Sequence, residues 1–425
     1  MSSILELFLQ YPSVTIDSRN VKKGQIYFAI KGARFDGNEF VLQALESGAS
    51  YCVSSDLKYS ENPSVIIVED TLLSLQQLAT EYRKTFNIPF LAITGSNGKT
   101  TTKELLAEVM KTKYKVHMTK GNLNNHLGVP LTLLSMPLDT EFAIIEMGAN
   151  HVGEIDALCR IAVPDYGIVT NIGIAHLEGF GGVEGVKIAK TELYRYLLEN
   201  KGIGFVNHQE PSLSFINKEE YTSMIGIEEN SDLKIELEDT SLSGHLVFSV
   251  NGHSYVTNLV GNYNFNNILV ALSIGRYFAC EPMPMANAVA SYMPENNRSQ
   301  MKKINGMDLI LDAYNANPSS VSHAIHNIAG LKNKVKSLIL GDMLELGESS
   351  QALHRETLLL VQNLSDWSGI FLIGPVYYSL KDEFPAFQFY NDTISAKDSI
   401  NWKELEGQTV LIKGSRGLKL ENLFT

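Results

Sequence analysis

TGSNGKTTTKE, Thr94 to Glu104, follows the apolar run Ile88 to Ile93 and leads into Leu105, Leu106, Val109 and Met110, which share one helical face. Strand, glycine-bounded turn and helix in that order make a phosphate cradle. Gly95 and Gly98 let the backbone approach an anion closely, and the amides of the loop, which includes Ser96 and Asn97, and of the helix N-terminus point at it with the helix dipole behind them. Lys99 adds a cation, the Thr100 hydroxyl is placed to ligate Mg²⁺, and Thr101 continues the first turn. The spacing is G-x-x-G-K-T-T rather than G-x-x-x-x-G-K-[ST], because Ile93 stands six residues before Lys99.

Working outward, Phe142 to Ile145 is another apolar run, and it ends in Glu146. An acid at the C-terminal end of a buried parallel strand, beside a phosphate loop, is where a metal-binding carboxylate is expected. Tyr166 to Ile172 reads as the next strand, with His176 just past its end. Between these lies KGNLNNHLGVP, Lys120 to Pro130, an amide-rich loop carrying Asn124 and Asn125. Gly182 to Asn200 has helical spacing, with Lys187 and Lys190 beside its apolar stripe, and periodicity prefers neither. Leu233 to Leu259 alternates, with turn signals at Ser243-Gly244 and Asn251-Gly252, and predicts a small antiparallel appendage; Gly261 to Gly275 returns to helix.

Upstream, strands near Gln25 to Ile30, Tyr51 to Ser54 and Val65 to Val68 alternate with helices over about Glu39 to Ser47 and Leu73 to Phe86. Two polar loops occur there, Asp17-Ser18-Arg19 and Lys31 to Gly37. Downstream, strands at Asp308 to Asp312, Ser337 to Leu340, Ile370 to Ile373 and Thr409 to Ile412 alternate with helices near Ser319 to Leu331, Gln351 to Leu364 and Ala396 to Leu405, the rhythm of a parallel sheet. Its strand ends carry DAYNANP, GDMLELG and KGSRG. The expected class is therefore α/β in three units: 1–84, 85–297 with the phosphate loop, and 298–425.

Composition limits the partners. The 425 residues carry a formal charge of −12, against a nucleic-acid surface, so anionic ligands must be held by local cations. Three scattered cysteines fit neither a disulfide framework nor a zinc site, and a reducing cytoplasm is the expected home. No apolar run approaches a membrane span.

TGSNGKTTTKE, NNHLGVP, IIEMGAN, NIGIAHLEGFG, KTELY, DAYNANPSS, GDMLELG and KGSRG together resemble the Mur ligases, over the whole chain and in the expected order. Within that family they resemble the branch that joins D-alanyl-D-alanine to UDP-N-acetylmuramoyl-tripeptide through an acyl phosphate, releasing ADP and phosphate for cytoplasmic cell-wall synthesis. The resemblance implies an N-terminal UDP-sugar domain, a central ATPase and a C-terminal Rossmann-like domain, acting as a monomer.

It also implies roles for individual residues. Ser18, Arg19, Lys31 and Gly32 would meet the UDP-sugar. Thr100 and Glu146 would hold one Mg²⁺ and His176 a second, supported by a lysine carbamylated by CO₂; the K-x-x-[LI]-[YF] pattern selects Lys190. Asn264 and Asn267 would lie on the adenine side, where Tyr263 replaces the family's usual histidine, and Arg298 and Asp312 would contact the nucleotide from the closing domain. Asn124, Asn125, Asn315, Asn317, Lys413, Ser415 and Arg416 would meet the peptide or the dipeptide. The rival within the family is the branch that adds a diamino acid, whose DNPR-type string is missing here. A guanine-nucleotide switch would need N-K-x-D, and the nearest string, Asn217 to Glu220, fails that test.

Overall fold

The computed structural model describes residues 3–33, 35–216, 224–226, 232–239, 244–294, 298–332, 334–364 and 366–424. Arg34, Asn217 to Glu220 and Ser243, which the sequence reading touched, lie outside them.

Four parallel strands open the chain: β1 (Val14–Thr15), β2 (Ile26–Phe28), β3 (Tyr51–Ser54) and β4 (Val65–Ile67), in that spatial order. The central sheet comprises β5 (Phe90–Thr94), β6 (Val116–Met118), β7 (Phe142–Glu146), β8 (Tyr166–Val169), β9 (Ile203–Val206) and β10 (Met224–Gly226). These run parallel in the order β10-β9-β8-β5-β7-β6. β5 and β7, FLAIT and FAIIE, are buried at every position, as expected of strands covered on both faces. Alternation sorts their side chains. Phe90, Ala92, Ala143 and Ile145 enter one core with the helices Glu154–Ala162 and Val183–Glu199; Leu91, Ile93, Phe142 and Ile144 enter another with Lys99–Lys111 and Phe265–Tyr277. After β5 the chain goes outward to β6 and back to β7, then crosses to β8 on the other side of β5. That reversal puts the end of β5 at the switch point, where open α/β sheets bind ligands.

The first of these cores does not stop at the central sheet. It takes in Phe8, Ile26, Phe28, Leu75, Leu78 and Tyr82 of the N-terminal region as well. The helix Thr71–Arg83 forms this seam, and Arg83 closes it. Its guanidinium donates to the carbonyls of Phe86, Ala162 and Val163 and to Asp165 at 2.9 Å, and lies 3.7 Å from the Phe90 ring centroid.

A three-stranded antiparallel appendage, β11 (Ile235–Leu237), β12 (His245–Val250) and β13 (His253–Val260), bears out the alternating pattern, with Asn251 and Gly252 at φ 51° and 82° between β12 and β13. The last sheet runs β14 (Gln300–Ile304), β15 (Met307–Asp312), β19 (Thr409–Lys413), β16 (Lys336–Gly341), β17 (Gly369–Ile373) and β18 (Gln388–Tyr390) in spatial order. It is mixed, where the sequence predicted a parallel sheet: β14 pairs antiparallel with β15. The cause is Asn305-Gly306, a tight hairpin turn with φ 49° and 77°.

Three further readings change. The predicted helix Ala396 to Leu405 is two pieces, Thr393–Ser399 and Trp402–Leu405, broken at Ile400, whose ψ of 128° is extended. KGNLNNHLGVP is loop only as far as Leu127, since Asn125 Oδ1 accepts from the amides of Leu127 and Gly128 and starts the helix Gly128–Leu134. The helix Pro282–Ser291 escaped notice because two prolines mask it, although proline suits the first helical position.

DAYNANP, GDMLELG and KGSRG follow β15, β16 and β19 on one edge, as expected. A buried group sets the middle loop. Asp342 accepts from the amides of Val376 and Tyr377, both at 2.9 Å, and His354 Nε2 accepts from the amide of Met343 at 2.9 Å while Nδ1 donates to Ser350 O. His354 is fully buried and neutral, and burial holds its protonation below the usual histidine range.

Two outcomes follow. Arg83→Met should lower unfolding stability by about 2–4 kcal/mol, because three carbonyls and a carboxylate lose their donor inside the seam; urea denaturation measures this. His354 protonates less readily folded than unfolded, so stability should fall as pH drops below about 6.5, where the unfolded chain binds the extra proton. His354→Gln keeps an acceptor for Met343 and should flatten that slope in pH-dependent melting.

Candidate active site

Close backbone approach builds the loop after β5. Gly95 and Gly98 have φ of 138° and 78°, and a Cβ on Gly95 would fall 2.0 Å from Thr170 Oγ1 and 3.0 Å from the Thr170 amide nitrogen. The loop is tied to the end of β8. The Ser96 amide donates to Asn171 O, the Asn97 amide donates to Asn171 Oδ1, and Thr170 Oγ1 donates to Asn97 O at 2.6 Å. Lys99 Nζ folds back onto the carbonyls of Gly95 and Ser96, at 2.6 and 3.1 Å. Burial pulls its pKa down to about 8.

Glu146 ends β7 and is 2% exposed. Its Oε1 accepts from Thr100 Oγ1 at 3.2 Å and from Asn124 Nδ2 at 2.8 Å. Its Oε2 is buried and makes no hydrogen bond; Lys103 Nζ lies 3.3 Å away, at ion-pair distance but outside hydrogen-bond geometry. A buried carboxylate oxygen without a donor, beside a threonine hydroxyl, fits a hard divalent cation with oxygen ligands. Among the described residues no three His, Cys, Asp or Glu side chains cluster as a metal site.

Asn264 and Asn267 brace this loop from behind. Asn267 Oδ1 accepts from Thr102 Oγ1, its Nδ2 donates to Asn264 Oδ1, and Asn264 Nδ2 donates to Val260 O. The Tyr263 hydroxyl pairs with Ser299 Oγ at 2.8 Å, and its ring stacks on His323. An imidazole therefore stands beside the tyrosine that departs from the family pattern.

His176 sits at φ 52° just before the short helix Leu177–Phe180, with its Nδ1 against the carboxylate of Glu345 from the loop after β16. Desolvation lowers its pKa despite that partner. Lys190 is 2% exposed, its Nζ 3.4 Å from Ala149 O and 5.1 Å from the Phe180 ring centroid. Burial, with Lys99 adding repulsion, brings its pKa to about 7. Lys187 is half-exposed, near Glu184 and the Phe215 ring. The structure thus separates two lysines that periodicity left equal.

The loops of the C-terminal sheet form the opposite wall. Arg298 and Arg416 lie 3.5 and 5.0 Å from the Tyr314 ring centroid. Lys413 is buried and bonds Asp312 at 2.7 Å and Asn315 O at 3.2 Å. Asn317 caps the helix Pro318–Ala329, and its Nδ2 donates to Asn97 Oδ1 at 2.7 Å. Ser415 Oγ is turned inward, accepting from the Leu344 amide. Between the walls is a cavity of about 1200 Å³, lined by the loop from Ser96 to Thr101, by Asn125, Glu146 and His176, and by Arg298, Asp312, Asn315 and Arg416.

Some expected residues stay outside it. Ser18 and Arg19 form a short helical turn after β1, with Arg19 paired to Asp17, and Lys31 pairs with Asp36 beyond β2. Gly32 lies close to the Phe35 ring, and none of these four residues lines the cavity. The sequence reading missed Lys103 and Glu345, whose roles depend on partners far along the chain, and Glu192, buried and accepting from the amides of Gly153 and Asp156.

With this geometry in hand, likeness to known proteins is informative. Residues 10–114 match the Mur ligase family catalytic domain, 93–275 the Mur ligase middle domain and 297–416 the Mur ligase glutamate ligase domain. The UDP-N-acetylmuramoyl-tripeptide--D-alanyl-D-alanine ligase of Bacillus subtilis is 34% identical, covering 96% of this chain and 92% of its own; that of Escherichia coli is 30% identical over 97% and 92%. Among solved structures, MurF from Acinetobacter baumannii superposes with a TM-score of 0.86 at 28% identity, covering 97% and 92%, and MurF from Thermotoga maritima in complex with ADP with 0.81 at 26%, covering 100% and 97%. A UDP-N-acetylmuramoyl-L-alanyl-D-glutamate--2,6-diaminopimelate ligase, at 16% identity and a TM-score of 0.51, shares the fold alone. A phosphate loop at the switch point, a buried strand-end glutamate and a facing wall of arginines, with three domain matches in register, place this chain in the Mur ligase family.

Proposed function

We propose that the protein is an ATP-dependent ligase that joins D-alanyl-D-alanine to UDP-N-acetylmuramoyl-tripeptide, releasing ADP and phosphate. The observation that carries this reading is the single cavity in which the phosphate loop faces the arginines and asparagines of the C-terminal wall. Two anions, a peptide carboxylate and the ATP γ-phosphate, repel each other, so the work of such a site is charge neutralisation and in-line positioning.

The carboxylate oxygen attacks the γ-phosphorus and ADP leaves; the dipeptide amine then attacks the acyl carbon, loses a proton and expels phosphate. Lys99 and the amides from Gly98 onward hold the phosphates. Thr100 and Glu146, with His176 and a carbamylated Lys190, would hold Mg²⁺, which supplies positive charge between the reacting anions. A carbamate forms only on a neutral amine, and burial beside Lys99 favours neutral Lys190. Ser18, Arg19, Lys31 and Gly32 would anchor the UDP-sugar, and Asn124, Asn315, Asn317 and Arg416 would orient the peptide and the dipeptide. The reading assigns 1–84, 85–297 and 298–425 as the UDP-sugar, ATP and closing domains of a monomer in cytoplasmic peptidoglycan precursor synthesis, and so in cell shape and division. Among the described residues no helix is long and apolar enough to cross a membrane.

Phosphate release is the direct assay. With ATP present it should require both the UDP-muramoyl tripeptide and D-alanyl-D-alanine, and release without the dipeptide at the full rate would exclude a ligase. Lys190→Ala should lose more than about 100-fold in kcat and recover in part with small carboxylates such as acetate, while Lys187→Ala stays within about threefold. Equal damage from both, with no recovery, would reject Lys190 as the carbamate carrier.

A further inference from the structure

The cavity has five acidic side chains on its lining: Glu146, Glu154, Glu210, Asp312 and Glu345. Four are engaged by fixed donors. Glu146 accepts from Thr100 and Asn124; Glu154 from the Asn150 amide at 2.7 Å and His151; Glu210 from the Ser212 hydroxyl at 2.8 Å and Asn266; Asp312 from Lys413. Glu345 alone among these faces only an imidazole, that of His176, and its side chain keeps 56% of its surface exposed.

The backbone beneath it is built to aim that carboxylate. Glu345 has φ 65°, a left-handed conformation that costs a non-glycine residue on the order of 1 kcal/mol or more and persists only where the surroundings enforce it. The enforcement is visible on both sides. The Met343 amide is fixed on His354, the Leu344 amide on Ser415 Oγ, and Leu346 is buried in the core of the C-terminal sheet. Glu345 is thereby turned out of its own sheet towards the phosphate-loop edge, while Arg298 and Arg416 stand on the same wall.

We propose that Glu345 is the recognition residue for the ammonium group of the incoming amine substrate. The inference rests on the ligase reading: a zwitterionic dipeptide brings a cation that must be seated beside the reacting acyl group and a carboxylate that must be kept away from it. An acid next to His176 does the first, and the arginines on Tyr314 are suited to the second. Lys413 adds no free charge, because Asp312 balances it. Ser415 and His354 act through the loop as positioning residues.

Steady-state phosphate release with ATP and UDP-muramoyl tripeptide saturating, and D-alanyl-D-alanine varied, tests this on the full chain. Glu345→Gln should raise KM for the dipeptide about 10- to 100-fold, the loss of one charge-assisted contact, while KM for ATP stays within about twofold. Glu345→Gly relieves the backbone strain and should show the same rise in dipeptide KM with an unchanged or higher melting temperature. If the dipeptide and ATP constants rise together, Glu345 is a closure contact and the assignment is overturned; an unchanged dipeptide KM in both variants overturns it too. Dipeptide-dependent release by the wild type keeps the ligase reading standing in either case. Its absence in the wild type removes that reading and this one together.

Discussion

The structure depends on one steric condition: at Gly95 and Gly98 the chain must pass where no Cβ fits. The Gly95 hydrogen faces Thr170 on the neighbouring strand end, and the Gly98 hydrogen faces Asn267 Oδ1. The loop is consequently clamped between two side chains that also bond its surroundings, Thr170 to Asn97 O and Asn267 to Thr102. The Ser96 and Asn97 amides, expected to face an anion, are bound to Asn171 instead, which leaves that role to the first turn of the helix from Lys99. A chain with net charge −12 cannot draw a polyanion by its overall field. Oriented amides, a helix N-terminus and a few cations close at hand must do it, and their precision comes from this clamp.

Glu146 shows the same logic for a negative group. A buried carboxylate is costly unless its oxygens are satisfied, and here Oε1 is satisfied by Thr100 and Asn124 whereas Oε2 is not. Lys103, itself 1% exposed, supplies a neutralising charge without taking the lone pair. That arrangement leaves one oxygen for another cation. Replacing that lysine by an apolar side chain would leave a buried carboxylate uncompensated, and a lone buried charge is more expensive than the pair.

How much of this the sequence disclosed follows from how local each feature is. β5, β7 and the turn between Gly95 and Lys99 were legible because buried parallel strands are continuous apolar runs and the loop chemistry lies within a few residues. Glu146 was legible by its place at a strand end. Lys190 and Lys187 are separable by the family string but not by periodicity, because helical spacing says which face a residue shares but not what covers it; Lys190 lies under Phe180 and Lys187 against Phe215. Glu345 was invisible, since its partner His176 is brought to it only when the third sheet faces the second. The antiparallel β14 was missed although its signal, Asn305-Gly306, was present, because the surrounding βα rhythm outweighed a single turn.

The two seams flanking the central sheet differ in kind. The N-terminal region shares a continuous apolar core with it, around Leu75, Leu78 and Tyr82, and Arg83 fixes the edge of that core through several carbonyls. The C-terminal sheet meets it largely through polar contacts: Asn317 to Asn97, the Ile174 amide to Ser319 Oγ and the Asn262 amide to Asn327, with Val260 taken into the C-terminal core. Each such hydrogen bond contributes only about 1 kcal/mol net, so that seam is the one a ligand can bias by its own contacts on both walls, whereas opening the apolar seam would expose a whole core to water. Two of these three hydrogen bonds are made by the phosphate loop or by Ile174 beside it. The weaker joint is therefore also the joint that touches the anion site, so a ligand seated there contacts both of its walls.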